Sequence, residues 1–131
     1  MAHLEAAKKW FAKASRDLRT AKALIELNDP DLEMTAFAAQ QCAEKAIKGF
    51  LTFHGKRIPK IHDMKALIDL VITINSSLHT VLSKSVRLTP FAVKVRYPDA
   101  TDLPDISEGM AKEAIEISEH VFSRLKEILD T

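Results

Sequence analysis

The chain has 131 residues, 47% of them apolar and 28% charged, and its 19 basic and 18 acidic side chains leave a formal net charge of +1. That length suits a single domain around one hydrophobic core, and the composition is that of a globular protein rather than a disordered one. Near-neutral charge argues against a protein that wraps duplex DNA or lies on anionic lipid, so any nucleic-acid contact must be a local patch.

The chain has three glycines and five prolines, few enough that it must be built from long uninterrupted elements. Leu4, Ala7, Phe11, Ala14, Leu18, Ala21 and Ile25 recur in steps of three and four, which predicts one amphipathic helix of about seven turns. It should stop at Asn28-Asp29-Pro30, where Asp29 can cap the next helix with Pro30 in its first turn. The second helix, from about Pro30 to Phe53, places Ala36, Ala39, Ala43, Ala46, Ile47 and Phe50 on one face. Those mostly small side chains let a neighbour approach closely, as a central helix requires.

A loop from His54 to His62 follows, and His62 or Asp63 begins a third helix through Met64, Leu67, Ile68, Val71 and Ile72. Asn75-Ser76-Ser77 interrupts the pattern, with Ser76 or Ser77 as cap for a fourth helix through Leu78, Val81, Leu82 and Val86. Residues Phe91 to Tyr97 alternate apolar and polar as a strand would. A lone strand would have no ladder partner for its backbone groups, so this stretch is read as a helical continuation ending at Tyr97-Pro98-Asp99. A loop from Asp99 to Pro104 leads to the last helix, with Met110, Ala114, Ile117, Val121, Leu125 and Ile128 as its stripe and Asp105 or Ser107 near its start. The expected fold is an all-α bundle of four to five helices.

Cys42 is the only cysteine and falls in an apolar helical run, where a small buried thiol is the usual occupant. The N-terminal segment is charged and amphipathic, unlike a signal peptide, and no run approaches the ~20 apolar residues of a spanning helix. The expectation is a cytoplasmic protein without a membrane segment.

At about 100° per residue, Gln41, Lys45 and Lys48 share one stripe of the second helix, flanked by Glu44, and read as a solvated face with local charge pairs. Gln40 instead falls inside the apolar arc, where its amide must find hydrogen-bond partners. Met34 and Phe37 sit on the polar side, as on a face that meets another chain and makes a homodimer. Arg96-Tyr97-Pro98-Asp99 places a guanidinium, a phenol and a carboxylate at a helix-to-loop junction. Arginine there can grip a phosphate and tyrosine can stack a base. Lys56, Arg57, Lys60 and His62 form a small basic cluster between helices. There is no glycine-rich phosphate loop, metal-binding histidine pair or nucleophile elbow, so neither a cofactor nor a metal is expected.

Taken together, residues 36–51, the His62-Asp63-Met64-Lys65-Ala66-Leu67 segment and the Arg96-Tyr97-Pro98-Asp99 segment resemble the HEPN domains over nearly the whole chain. The resemblance implies an up-and-down helical bundle that pairs into a homodimer. It also implies the partner of a minimal nucleotidyltransferase in a toxin–antitoxin-like module, binding a nucleotide or single-stranded RNA. Some HEPN relatives are metal-independent ribonucleases that use an arginine followed four to six residues later by a histidine. In others a tyrosine replaces that histidine and accepts AMP from the transferase. This chain departs from the nuclease pattern: its only arginine–histidine match, Arg57 to His62, lies in a loop, and Tyr97 directly follows Arg96.

Three functional classes follow. A binding module would use Arg96, Tyr97, Asp99, Lys45, Lys48 and Lys60, with Tyr97 as AMP acceptor. An endoribonuclease would use Arg96 to hold the scissile phosphate and His62 as acid or base. The third class is a non-catalytic helical oligomerisation module.

Overall fold

The computed structural model describes residues 2–61, 63–96 and 105–131, and of Arg96 only the helical backbone. The described residues are helical, with no strand. Three long helices form a frame: α1 (Ala2–Ile25), α2 (Leu32–Phe53) and α6 (Glu108–Asp130). Between α2 and α6 the chain makes α3 (Met64–Ile74) and a nearly continuous helical run. That run consists of a 3₁₀ turn (Ser76–Leu78), the single-turn α4 (His79–Leu82), a second 3₁₀ turn (Ser83–Leu88) and α5 (Thr89–Arg96). Counting the run as one segment gives the expected five-helix bundle.

α2 lies at the centre, packed most extensively on α1 and α6, with α5 and α3 on its remaining flank. Its alanines explain why. Ala36, Ala39, Ala43 and Ala46 have no exposed surface, so helices approach on all sides, and Ile47, Phe50 and Leu51 fill the gaps that remain. Approach is closest at Gly49, where an added Cβ would stand 2.8 Å from the Phe11 ring and 3.0 Å from Trp10 Cβ. Phe11 in turn meets Phe122 of α6 edge to face, with ring centroids 5.9 Å apart. The α1 stripe read from the sequence is the buried one: Ala7, Phe11, Ala14, Leu18 and Ala21 face inward.

Two of the four caps are ones the sequence offers, and two shift. Asp31, not Asp29, caps α2, because Asp31 has the extended backbone an N-cap needs and its side chain accepts from Met34 N at 3.0 Å. Asp63 caps α3 through Lys65 N, and Ser107 caps α6 through Met110 N. Asn75, rather than Ser76 or Ser77, starts the next turn, since its Oδ1 accepts from Ser77 N at 3.1 Å. The Phe91 to Tyr97 stretch is helical as far as Arg96, and Tyr97 lies outside the described residues.

Candidate functional site

The best candidate region is the side of α2 that faces the loop after it and the end of α5. Met64 at the start of α3 donates its backbone N–H to Thr89 Oγ1 of α5 at 3.1 Å. Arg96 lies seven residues further along α5, about 10 Å at a 1.5 Å rise per residue, and is its last residue. His62, Tyr97 and Asp99 lie outside the described residues, as does the loop to Pro104. Lys60 is exposed on the loop after α2. Among the described residues no carboxylate stands within ion-pair distance of it.

The stripe Gln41, Glu44, Lys45 and Lys48 is not the solvated face its polarity predicts. Glu44 and Lys48 are buried, and Gln41 and Lys45 are half-buried, because α2 is covered on this side as well. The side chains form a ladder instead. Gln41 Nε2 donates to Gln40 Oε1 at 2.7 Å, Gln40 Nε2 to Glu44 Oε1 at 2.9 Å, and Lys48 Nζ to Glu44 Oε2 at 3.0 Å. Lys48 Nζ also lies 5.8 Å from the centre of the Trp10 ring on α1. Gln40, wholly buried, thereby finds the partners its place in the apolar arc demands, with Met64 Sδ a further contact at 3.9 Å. Lys45 reaches across to Asp17 of α1 at 2.7 Å. Both lysines are thus held by carboxylates of their own chain, and a ligand phosphate would have to compete with Asp17 or Glu44 for them.

Burial pushes the Cys42 thiol up to about 12, with Asp17 and Glu119 adding to the shift. A thiol so far from ionisation is a packing residue and no nucleophile. His54 closes α2 and stacks on Phe50 at 4.6 Å. Its pKa is lowered, first by desolvation and then by the Lys56 charge. Met34 is 41% exposed, whereas Phe37 is half-buried. Among the described residues no three potential ligands cluster as a metal site would need, and no helix is long and apolar enough to cross a membrane.

Two features escape sequence reasoning. One is a cleft of about 250 Å³ between α5 and α6, walled by Leu88, Phe91, Ile106 and Met110 with Arg87 and Glu113 among its lining residues. The other is Trp10, which the helical period leaves beside the buried stripe of α1. A lone tryptophan among lysines is the available signal.

The fold and sequence have recognisable relatives. A HEPN domain model matches residues 7–128. The crystal structure of ST0689, an archaeal HEPN homologue, is similar at 26% identity over 94% of this chain and 97% of that one, with a TM-score of 0.73. TT1696 from Thermus thermophilus is similar at 25% identity over 92% and 96% of the two chains, with a TM-score of 0.75. No curated protein matches the chain significantly. A family model that spans all but the termini, on a bundle of matching topology, places this chain in the HEPN domain family.

Proposed function

We propose that this protein is a homodimeric nucleotide- or RNA-binding partner of a minimal nucleotidyltransferase, working in a toxin–antitoxin-like module. One observation carries the site: α5 runs as helix to Arg96, which makes Arg96-Tyr97-Pro98-Asp99 the exit from a helix. Arg96 there holds a phosphate, Tyr97 stacks a base and Asp99 accepts from a sugar or base. Lys60 adds a second cation. Lys45 and Lys48 support the site through the α2 ladder, since their charges are already paired.

In the modification step, the Tyr97 phenolic oxygen attacks the α-phosphorus of ATP. The bond to the bridging oxygen breaks, pyrophosphate leaves with magnesium, and the phenolic proton passes to a base of the transferase. The added AMP sets a phosphate beside Arg96 and neutralises it.

The test is the intact mass after incubation with a minimal nucleotidyltransferase from the same genome, ATP and magnesium. One added AMP on the parent and none on Tyr97→Phe is the expected result. No adduct, or an adduct retained by the Phe variant, rules out Tyr97 as acceptor. RNA cleavage in chelator, abolished by Arg96→Ala and by His62→Ala, would replace the binding reading with the ribonuclease one.

A further inference from the structure

α1 holds six cations against two carboxylates, a net of +4. The whole chain carries +1, so the other residues together carry −3. The two carboxylates are engaged: Asp17 binds Lys45 of α2, and Glu5 lies 3.7 Å from Lys8. Lys22 is taken by Glu119 of α6. Lys9, Lys13, Arg16 and Arg19 remain, all exposed, with no carboxylate in ion-pair range among the described residues. A merely solvated face looks different. On α6, Lys112 and Lys126 pair with Glu108 and Asp130 one turn away, and on α3 Lys65 pairs with Asp69.

At about 100° per residue, Lys9, Lys13 and Arg16 fall within an arc of roughly 60° opposite the buried stripe, and Arg19 stands about 60° outside it on the side away from Trp10. Along the axis Lys9 to Arg16 spans about 10 Å, long enough to follow a backbone rather than grip one phosphate. Trp10 borders this row. It is half-buried against the α2 backbone at Gly49, with Lys48 near one face. A surface groove of about 250 Å³ lies beside it, lined by Ala6, Lys9, Trp10 and Lys13. Ala6, one turn earlier, leaves the space open.

We infer that the outer face of α1 is a second binding surface, for single-stranded RNA. Lys9, Lys13 and Arg16 contact successive phosphates, and a base enters the groove against Trp10. The aromatic platform needs an unstacked base, which a duplex does not offer. A lipid surface fits poorly, because the apolar residues between Lys9, Lys13 and Arg16 on this face are small, and Trp10 at its border is held against α2 at Gly49. The surface stands on charge and geometry and does not depend on Arg96: α1 packs on α2 and α6, whereas α5 packs on α2.

Trp10 is the only tryptophan, so its fluorescence reports this site alone. Titration with a short oligouridylate should quench it, and log K against log salt should slope at about −2, as for about three phosphates of a single strand. Lys13→Glu and Arg16→Glu should each weaken binding tenfold or more, and Trp10→Phe should weaken it several-fold by anisotropy of labelled RNA. Lys65→Glu, at an exposed cation that pairs within its own helix α3, should leave the Trp10 quenching unchanged, which ties the losses to this row of α1. The inference is overturned by an absence of quenching, by indifference to both charge reversals, or by equal binding of duplex RNA, polyglutamate or phosphatidylserine vesicles. Lys13 and Arg16 are exposed and Trp10 is half-buried, and an unchanged melting temperature confirms that each variant folds.

Discussion

The frame of α1, α2 and α6 and the helical run from Met64 to Arg96 are built on opposite plans. The frame helices have 24, 22 and 23 residues and lock to one another through alanine faces, a glycine contact and the Asp17–Lys45 bridge. The run has no helix longer than the 11 residues of α3 and twice tightens into 3₁₀ turns. Its hydroxyls bond backwards to their own turn, as Ser85 Oγ does to the Leu82 carbonyl at 2.6 Å. The comparison teaches that stability is shared across the frame, where a contact joins whole helices. In the run the hydroxyl hydrogen bonds mostly stay within one turn, the Met64–Thr89 bond excepted.

The largest effect is expected at the Glu44–Lys48 pair, which is interior because the neighbouring helices enclose α2. Lys48→Met leaves a buried carboxylate short of its cation and should cost about 3 kcal/mol of global stability. Adding Glu44→Leu should restore much of it, since two apolar groups need no pairing. Denaturant unfolding measures both. A single-variant loss below about 1 kcal/mol would mean the ladder is as loose as a surface pair.

Gly49 and Gly109 should give opposite signs. Gly49→Ala drives a Cβ into the Phe11 ring, and overpacking of about 2 kcal/mol outweighs the ~1 kcal/mol that alanine gains in helix propensity. At Gly109 the nearest atom is Ser107 Oγ at 3.9 Å, so Gly109→Ala should stabilise by about 0.5 to 1 kcal/mol. Melting temperatures moving the same way would refute the close α1–α2 approach.

In the run, Thr89→Val removes the acceptor of the Met64 amide. About 1 kcal/mol should be lost, with faster amide exchange concentrated at the start of α3. Uniform acceleration through α2 and α6 would erase the distinction between frame and run.

The smallest effect lies at His54, where α2 ends. Its folded pKa is below the ordinary 6.5, so between that lowered value and 6.5 the unfolded chain binds more protons. Stability should therefore rise with pH through this window and fall as pH drops below 6.5. His54→Gln should flatten the profile there in a melting series. An unchanged slope would assign it to another group.

Much of this is legible in the sequence for a local reason. The stripes of α1 and α6 follow a 3.6-residue period that can be counted directly, and the helical reading of residues 91–96 follows from the lack of a ladder partner. The caps Asp63 and Ser107 are among those the sequence offers, whereas those at Asp31 and Asn75 fall one or two residues from the expected positions, because an N-cap needs an extended backbone as well as the right side chain. The family is legible from three segments in order. The site is legible less fully: Arg96 does stand at the end of a helix, while the α2 stripe reads as solvated when it is half covered.

By itself the sequence determined that the chain is helical, where its joints fall and which face of each long helix is apolar, since these depend on residues three or four apart. Which polar faces would be buried was left to the tertiary structure. Glu44 and Lys48 become interior only because α2 is surrounded, and among the described residues Lys9, Lys13 and Arg16 have no carboxylate in ion-pair range because Asp17 is turned to Lys45 and Glu5 to Lys8. Such pairings are set by distances between segments, which no local pattern encodes.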